Sequence, residues 1–252
     1  MDRPAALLAA ARLAAEFRAI GTPERAASEK VYLKSALTFL GCTVWQIRSV
    51  VRAWLEANPL ASAADVVVMA EALWSEPIHE RRMASVVVLE REVRRLSVTD
   101  LPLLESLLRD SWTWALVDAL STNVVGEIRR RDPEGARPIL DRWSADEDFW
   151  IRRASLLGEL QALVRDLAPL EPFLRRADGM LEEKEFFIRK ATGWVLREVG
   201  KRRPAEVVRW LEPRTARVSG VTIREAVRWL PAEDRDRLVT AYRERRPASG
   251  PS

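Results

Sequence analysis

The sequence predicts an all-α protein, a solenoid of stacked antiparallel helix pairs, and three observations carry that expectation. Between helix-starting signals, apolar residues recur at i, i+3 and i+4, as at Leu101, Leu104, Leu107 and Leu108. No segment sustains the period-two alternation of a β-strand bounded by hairpin turns. Alanine returns at nearly fixed intervals, at Ala84, Ala119, Ala154, Ala191 and Ala226, in steps of 35, 35, 37 and 35 residues. An interval of that size is one helix pair, and pairs stacked in register form a solenoid with a concave inner face. A small residue at one place in every pair is what close helix–helix stacking requires.

Each element follows from local chemistry. The alanine-rich run Ala5–Ala15 reads as a helix and not a secretion signal, because Arg12 interrupts it and no basic segment precedes it. Thr22-Pro23-Glu24 opens the next helix, with Thr as N-cap, Pro at the first helical position and Glu in the first turn. Asp132-Pro133-Glu134 repeats that chemistry, and Ser97–Asp100 supplies it ahead of Leu101-Pro102. Val66–Val68 and Val86–Val88 would suit strands in isolation, but each lies inside a longer helical pattern. Trp114–Ala119 reads as a helix that Ala119 closes. The whole amounts to about a dozen helices of roughly 10–14 residues. Arg246–Ser252 carries Pro, Gly and Ser, so the expected organisation is one domain over 1–246 and a flexible tail over 247–252.

Composition narrows the function classes. A chain of 252 residues that is 48% hydrophobic and 31% charged buries a real core. One cysteine and one histidine argue against a disulfide framework, a cysteine-based zinc cluster and a Ser-His-Asp triad. Of the 41 basic residues only five are lysine, and the net charge of +4 suits a polyanionic partner without proving one. No apolar run approaches the ~18 residues of a membrane span. A free Cys42 without a targeting signal leads to the expectation of a cytoplasmic protein, nucleoid-associated when on DNA.

The repeat register singles out particular residues. The four segments Glu80–Ala84, Ile151–Ala154, Ile188–Ala191 and Ile223–Ala226 look alike. Immediately before the alanines stand Met83, Asp118, Arg153, Lys190 and Glu225; five residues before come Trp114, Phe149 and Phe186; three residues after come Val87, Thr122, Leu157, Trp194 and Trp229. Positions four apart share a helix face, so Trp114 goes with Asp118, and Lys190 with Trp194. A carboxylate and a guanidinium thus occupy the same repeat position on successive helices, and two indoles stand one turn from that position on the same face. For any one of them the plain alternative is an ordinary core tryptophan or an ion pair. Their shared register favours a surface suited to a nucleic-acid backbone, where arginine grips phosphate and indole packs on sugar or base. Trp54, Trp74 and Trp143 fall outside that register and are expected in the core.

Lys184-Glu185-Phe186-Phe187-Ile188-Arg189-Lys190-Ala191 followed by Gly193–Glu198 resembles the signature of the AlkD-type DNA glycosylases, HEAT-like repeat enzymes of DNA alkylation repair. Tyr32-Leu33-Lys34 leading to Phe39-Leu40-Gly41 is similar to the family's N-terminal segment. Trp114–Asp118 resembles the helix with its catalytic acid, and Trp150–Ala154 the helix with its essential arginine. The likeness runs from about residue 30 to residue 230. It implies a solenoid of HEAT-like helix pairs with a concave, basic DNA-binding groove. By it Asp118 is the catalytic aspartate, Arg153 the site arginine, and Trp114 and Trp194 the groove tryptophans, with Arg152, Arg189, Lys190, Arg197 and Arg224 contacting DNA. Ala115 stands where some members have an acid, Thr192 where many have Ile, and Glu225 breaks the basic run.

The implied activity is that of a monofunctional glycosylase, a monomer without cofactor or metal acting on double-stranded DNA that contains alkylated purines. It would release cationic N3- or N7-alkylpurines such as 3-methyladenine and 7-methylguanine without base flipping, leaving an abasic site. Two alternatives stay open: a non-catalytic HEAT-like DNA- or protein-binding module, and a self-resistance glycosylase for a bulky natural-product adduct. Blander expectations attach elsewhere. His79 should lie on the surface or in a loop, and Cys42 should be a buried small hydrophobe. Arg202, Arg203, Arg214, Arg217, Arg224 and Arg228 are divided between phosphate contacts and ordinary ion pairs.

Overall fold

The computed structural model describes residues 1–165 and 168–245, and the chain falls into two compact units, Met1–Ala136 and Arg137–Ser252. The expected tail over 247–252 lies outside the described residues. The fold is all-α. Among the described residues, extended backbone pairing is confined to Thr38 and Ile78.

The first unit holds α1 (Arg3–Ile20), α2 (Pro23–Leu33), α3 (Val44–Ala57), α4 (Ala63–Trp74), α5 (His79–Arg91), α6 (Leu101–Arg109), α7 (Trp114–Ala119) and α8 (Gly126–Arg131). The cap chemistry lies where the sequence puts it. Thr22 Oγ1 accepts from the Arg25 N–H, and Ser97 with Asp100 forms a capping box ahead of α6. The valine triplets are helical, in α4 and α5. At the centre is α5, which packs on α1, α3, α4 and α7 and buries every residue from His79 to Leu89. Such a helix needs each buried charge to be answered. Glu80 accepts from the backbone N–H groups of Leu40 (2.9 Å), Gly41 (2.7 Å) and Cys42 (3.1 Å). Arg81 donates to the Ala72 carbonyl at 2.6 Å and pairs with Glu76. Gly41 has φ +87°, and a Cβ there would meet the Thr22 carbonyl oxygen at 2.0 Å, so only glycine fits this crossing.

The expectations for His79 and for the end of the Trp114 helix fail in this unit. His79 is buried (3% exposed), stacked on Phe39 with ring centroids 4.8 Å apart, and burial lowers its pKa to about 4. The cause is its place at the start of the fully buried α5. The helix at Trp114 also does not close at Ala119. It widens into a π-helical segment, Leu120–Val125, and continues as α8. Thr122 Oγ1 donates to the Asp118 carbonyl at 2.7 Å, the acceptor that an α-helical Thr122 N–H would use, which is the local chemistry of the widening. Cys42 is buried as expected; burial first, then the charges of Glu80 and Glu29, push its thiol up to about 11.

The division between the units falls within α9 (Pro133–Trp143). The second unit continues with α10 (Phe149–Leu157), α11 (Leu160–Arg165), α12 (Glu171–Gly179), α13 (Phe186–Gly200), α14 (Pro204–Leu211), α15 (Gly220–Ala226) and α16 (Ala232–Arg245). Its core gathers on α13, which packs on α10, α11, α14 and α15. Gly193 sets the closest approach: a Cβ there would lie 2.6 Å from Glu225 Cβ and 2.9 Å from the Thr222 carbonyl. Of the repeat alanines, Ala84, Ala154, Ala191 and Ala226 are completely buried, whereas Ala119 is half-buried at the edge of the π segment. Trp74 and Trp143 are core residues; Trp54 is only half-buried. Several helices are shorter than expected, with α7, α8 and α11 of 6 residues each.

Candidate functional site

In the first unit, Trp114 and Asp118 stand one turn apart on α7 and are both half-buried. Thr113 caps the helix through Oγ1 and is itself buried. Tyr32, exposed at the end of α2, meets the Trp114 indole edge-on at 5.7 Å and 81°. The π segment begins two residues after Asp118 and is tied down by polar contacts. Asn123 donates to Glu90 at 2.6 Å, and the other oxygen of Glu90 pairs with Arg48 at 2.7 Å. π-Helical turns inside α-helices are frequent at functional sites, and this one follows directly on the candidate acid.

The loop feeding α7 carries a cluster that sequence reasoning missed. Trp112 has φ +54°, a left-handed backbone that bulky residues rarely adopt and that costs about 1–3 kcal/mol. Its indole is nevertheless 46% exposed. Beneath it the buried Arg82 guanidinium lies over two rings, 5.0 Å from the centroid of Trp112 and 5.2 Å from that of Trp74. Arg82 donates to the Asp110 carbonyl and, at 2.7 Å, to its carboxylate, which also accepts from Trp74 Nε1 at 3.1 Å. Burial lowers the Arg82 pKa, and the charge and hydrogen bond of Asp110 counter that. The one available sign was the Trp-x-Trp spacing of Trp112 and Trp114.

In the second unit, Arg153 on α10 is 3% exposed; it donates to the Phe187 carbonyl and lies 5.7 Å from that ring's centroid. Phe149, Trp150, Phe186 and Phe187 gather around the starts of α10 and α13, with neighbouring centroids 4.3–6.1 Å apart. Trp194 on α13 is half-buried beside a shallow depression of about 360 Å³ lined by Leu160, Val164, Arg165 and Glu198.

The expected DNA-contacting cations are mostly engaged within the protein. Arg152 lies 2.7 Å from Glu183 Oε1 and donates to the Asp146 and Glu147 carbonyls. Arg189 donates to the Glu183 carbonyl at 2.6 Å. Lys190 and Arg197 both pair with Glu225, the acid that interrupts the basic run. Arg224 is exposed on α15. Arg203, Arg214 and Arg217 form ion pairs with Glu206, with Asp178, and with Glu182 and Asp178, Arg202 donates to the Val164 carbonyl, and Arg228 lies over Trp229. Among the described residues no group of three or more His, Cys, Asp or Glu side chains is placed to hold a metal ion.

The family described as "DNA alkylation repair enzyme" matches residues 13–230. The chain belongs to this family. Solved structures agree on the fold. A predicted DNA alkylation repair enzyme from Enterococcus faecalis superimposes with a TM-score of 0.76 at 22% identity, covering 84% of this chain and 97% of that one. AlkD2 from Streptococcus mutans superimposes with a TM-score of 0.59 at 17% identity, over 76% of this chain and 92% of its own. The smu.31 protein of Streptococcus mutans UA159 gives a TM-score of 0.53 at 15% identity, over 79% and 95%. None of the curated proteins matches the chain. The all-α repeat fold is that of the AlkD proteins, and membership of the family places this chain in DNA alkylation repair with DNA as its partner.

Proposed function

We propose that the protein is a monofunctional DNA glycosylase that hydrolyses the N-glycosidic bond of cationic N3- and N7-alkylated purines in double-stranded DNA. The observation that carries the reading is the pairing of Trp114 and Asp118 on one face of α7, two half-buried residues a single turn apart.

The chemistry needs little else. An alkylated purine that already bears positive charge leaves with the electron pair of the glycosidic bond and becomes neutral, so no general acid is required. The deoxyribose becomes oxocarbenium-like, water adds at its C1′, and the water's proton is released. A carboxylate held against the developing cation stabilises it as the charge forms. Opposite charges at ~4 Å interact by about 4 kcal/mol at an effective dielectric of ~20, which corresponds to roughly 10³-fold in rate. Asp118 supplies that charge and orients the attacking water. Trp114 and Trp194 pack on the sugar and add cation–π attraction. Arg153 holds the lesion phosphate in this proposal, for which its buried guanidinium has to exchange the Phe187 carbonyl for phosphate, and Arg152, Arg189, Lys190 and Arg197 likewise exchange internal partners to contact the backbone nearby, beside the exposed Arg224.

With the catalysis directed at the sugar, nothing has to enclose the base, and flipping is not part of the mechanism. The test is a panel of duplexes in single-turnover excess of protein. Release of 3-methyladenine, 7-methylguanine and a bulky N3-adenine adduct is expected, while uracil, hypoxanthine and 1,N6-ethenoadenine stay in place. Release of a neutral base, or exclusion of bulky cationic adducts while methyl adducts are cut, contradicts the mechanism.

A further inference from the structure

We propose that Trp112 is a second DNA-contacting indole of the Trp114–Asp118 site, one that packs its outer face on a nucleotide flanking the lesion; the inference rests on the lesion-binding reading above. Three independent observations meet in this side chain. The first is the backbone: a bulky residue stands at φ +54°, where glycine or asparagine would suit the loop better. Nearly half of the indole's surface nevertheless stays in water.

The second observation is the support. Trp74, buried, and Arg82, buried, lie behind the exposed ring, with the guanidinium 5.2 Å and 5.0 Å from the two centroids. Asp110 fixes that guanidinium through its carbonyl and its carboxylate and takes the Trp74 indole N–H as well. The indole is therefore held in one orientation from beneath, while its exposed surface has no ring packed against it among the described residues. A rigid, pre-oriented aromatic face binds at small entropic cost, which is the usual character of an aromatic anchor at an interface.

The third observation is position. Trp112 precedes Trp114 by two residues, with the buried Thr113 between them, so their Cα atoms lie within about 7 Å of each other. Trp112 is 46% exposed, Trp114 is half-buried at the start of α7, and Tyr32 lies edge-on to Trp114. A partner that covers Trp114 and Asp118 comes within reach of Trp112. Family membership gives that partner as DNA, whose sugars and bases offer faces to an aromatic ring. The competing account is that Trp112 is merely a cover for Arg82.

The experiment measures binding and stability in parallel on the full chain, with Trp112→Ala, Trp112→Gly and Trp112→Phe. The probe is a fluorescent duplex with a tetrahydrofuran abasic analogue, which cannot be cleaved, titrated at one fixed salt concentration. The Ala and Gly variants are expected to bind about tenfold more weakly and the Phe variant to remain within about threefold of the parent. Trp112→Gly, relieved of the left-handed strain, should melt no lower than Trp112→Ala. If Trp112 only covers Arg82, the Ala and Gly variants bind within about twofold of the parent and show their loss in melting temperature alone, which overturns the proposal. Should Trp112→Ala not fold, the contrast between Phe and Gly decides in the same way. Because the probe needs no excision, failure of the glycosylase reading appears in base release by the parent, and failure of this proposal appears in the variants' affinities.

Discussion

Replacing Glu225 by Gln should make DNA binding tighter and more sensitive to salt. Glu225 is 16% exposed on α15 and accepts from both Lys190 Nζ and Arg197 Nη1. Burial pushes its carboxyl up, but the hydrogen bond from Lys190 and the charges of Lys190, Arg197 and Arg228 outweigh it and hold the group below its ordinary value. The carboxylate therefore stays ionised at neutral pH and competes with phosphate for two of the proposed DNA-contacting cations. Each phosphate newly neutralised steepens the dependence of log K on log[salt] by about 0.9. One unit of added net charge gives a change of about 0.9, and two fully released cations about 1.8. Between 50 and 200 mM salt, slopes of that size correspond to an extra loss of affinity of roughly three- to twelvefold, with the variant binding more tightly at the low-salt end. The two ion pairs are partly solvated, so the variant should lose only about 1 kcal/mol of stability. The assay is a series of binding isotherms for one undamaged duplex at four or more salt concentrations. An unchanged slope, or weaker binding at low salt, would refute the reasoning and leave the cluster as a brace between α13 and α15.

His79 should make stability pH-dependent above the carboxylate range. Its folded pKa of about 4 lies below the unfolded value of 6.5, so its neutral form costs nothing above pH 6.5 and stability falls as pH drops from 6.5 towards 4, by up to about 3 kcal/mol. Urea unfolding at pH 7 and pH 5 checks this, and His79→Leu should lose that part of the slope; identical slopes in parent and variant would remove His79 as the cause. Glu80→Gln should destabilise by about 3 kcal/mol, since the amide cannot accept all three N–H groups of residues 40–42 and loses the charge. The melting temperature should then fall by roughly 6–12 °C, and a shift below about 2 °C would show that the clasp contributes little.

What the sequence disclosed was local or periodic. Caps at Thr22, Ser97 and Asp132 depend on a side chain and a backbone group three residues apart, and all three form. Four repeat alanines are buried because close packing leaves room for nothing larger at those crossings. The pairing of Trp114 with Asp118 was legible because four residues is one helical turn. The illegible part was set by packing between segments distant in sequence. Nothing near His79 announces that every side of α5 is covered, and the partnership of Glu225 with Lys190 and Arg197 joins residues 35 and 28 positions apart. The π segment needs Thr122 to turn its hydroxyl back onto Asp118, a choice among rotamers that composition does not display. Trp112 was hidden because a left-handed tryptophan contradicts the usual preference for glycine there, and such local contradictions tend to mark functional or strained sites.

The most direct test of the account is the single-turnover release of 7-methylguanine from duplex DNA by Asp118→Asn, measured beside its DNA affinity and melting temperature. The amide keeps the shape and removes the charge that opposes the oxocarbenium. The account predicts an unchanged fold, affinity close to the parent's, and a release rate lower by roughly 10³-fold. Equal release rates for the variant and the parent would contradict it.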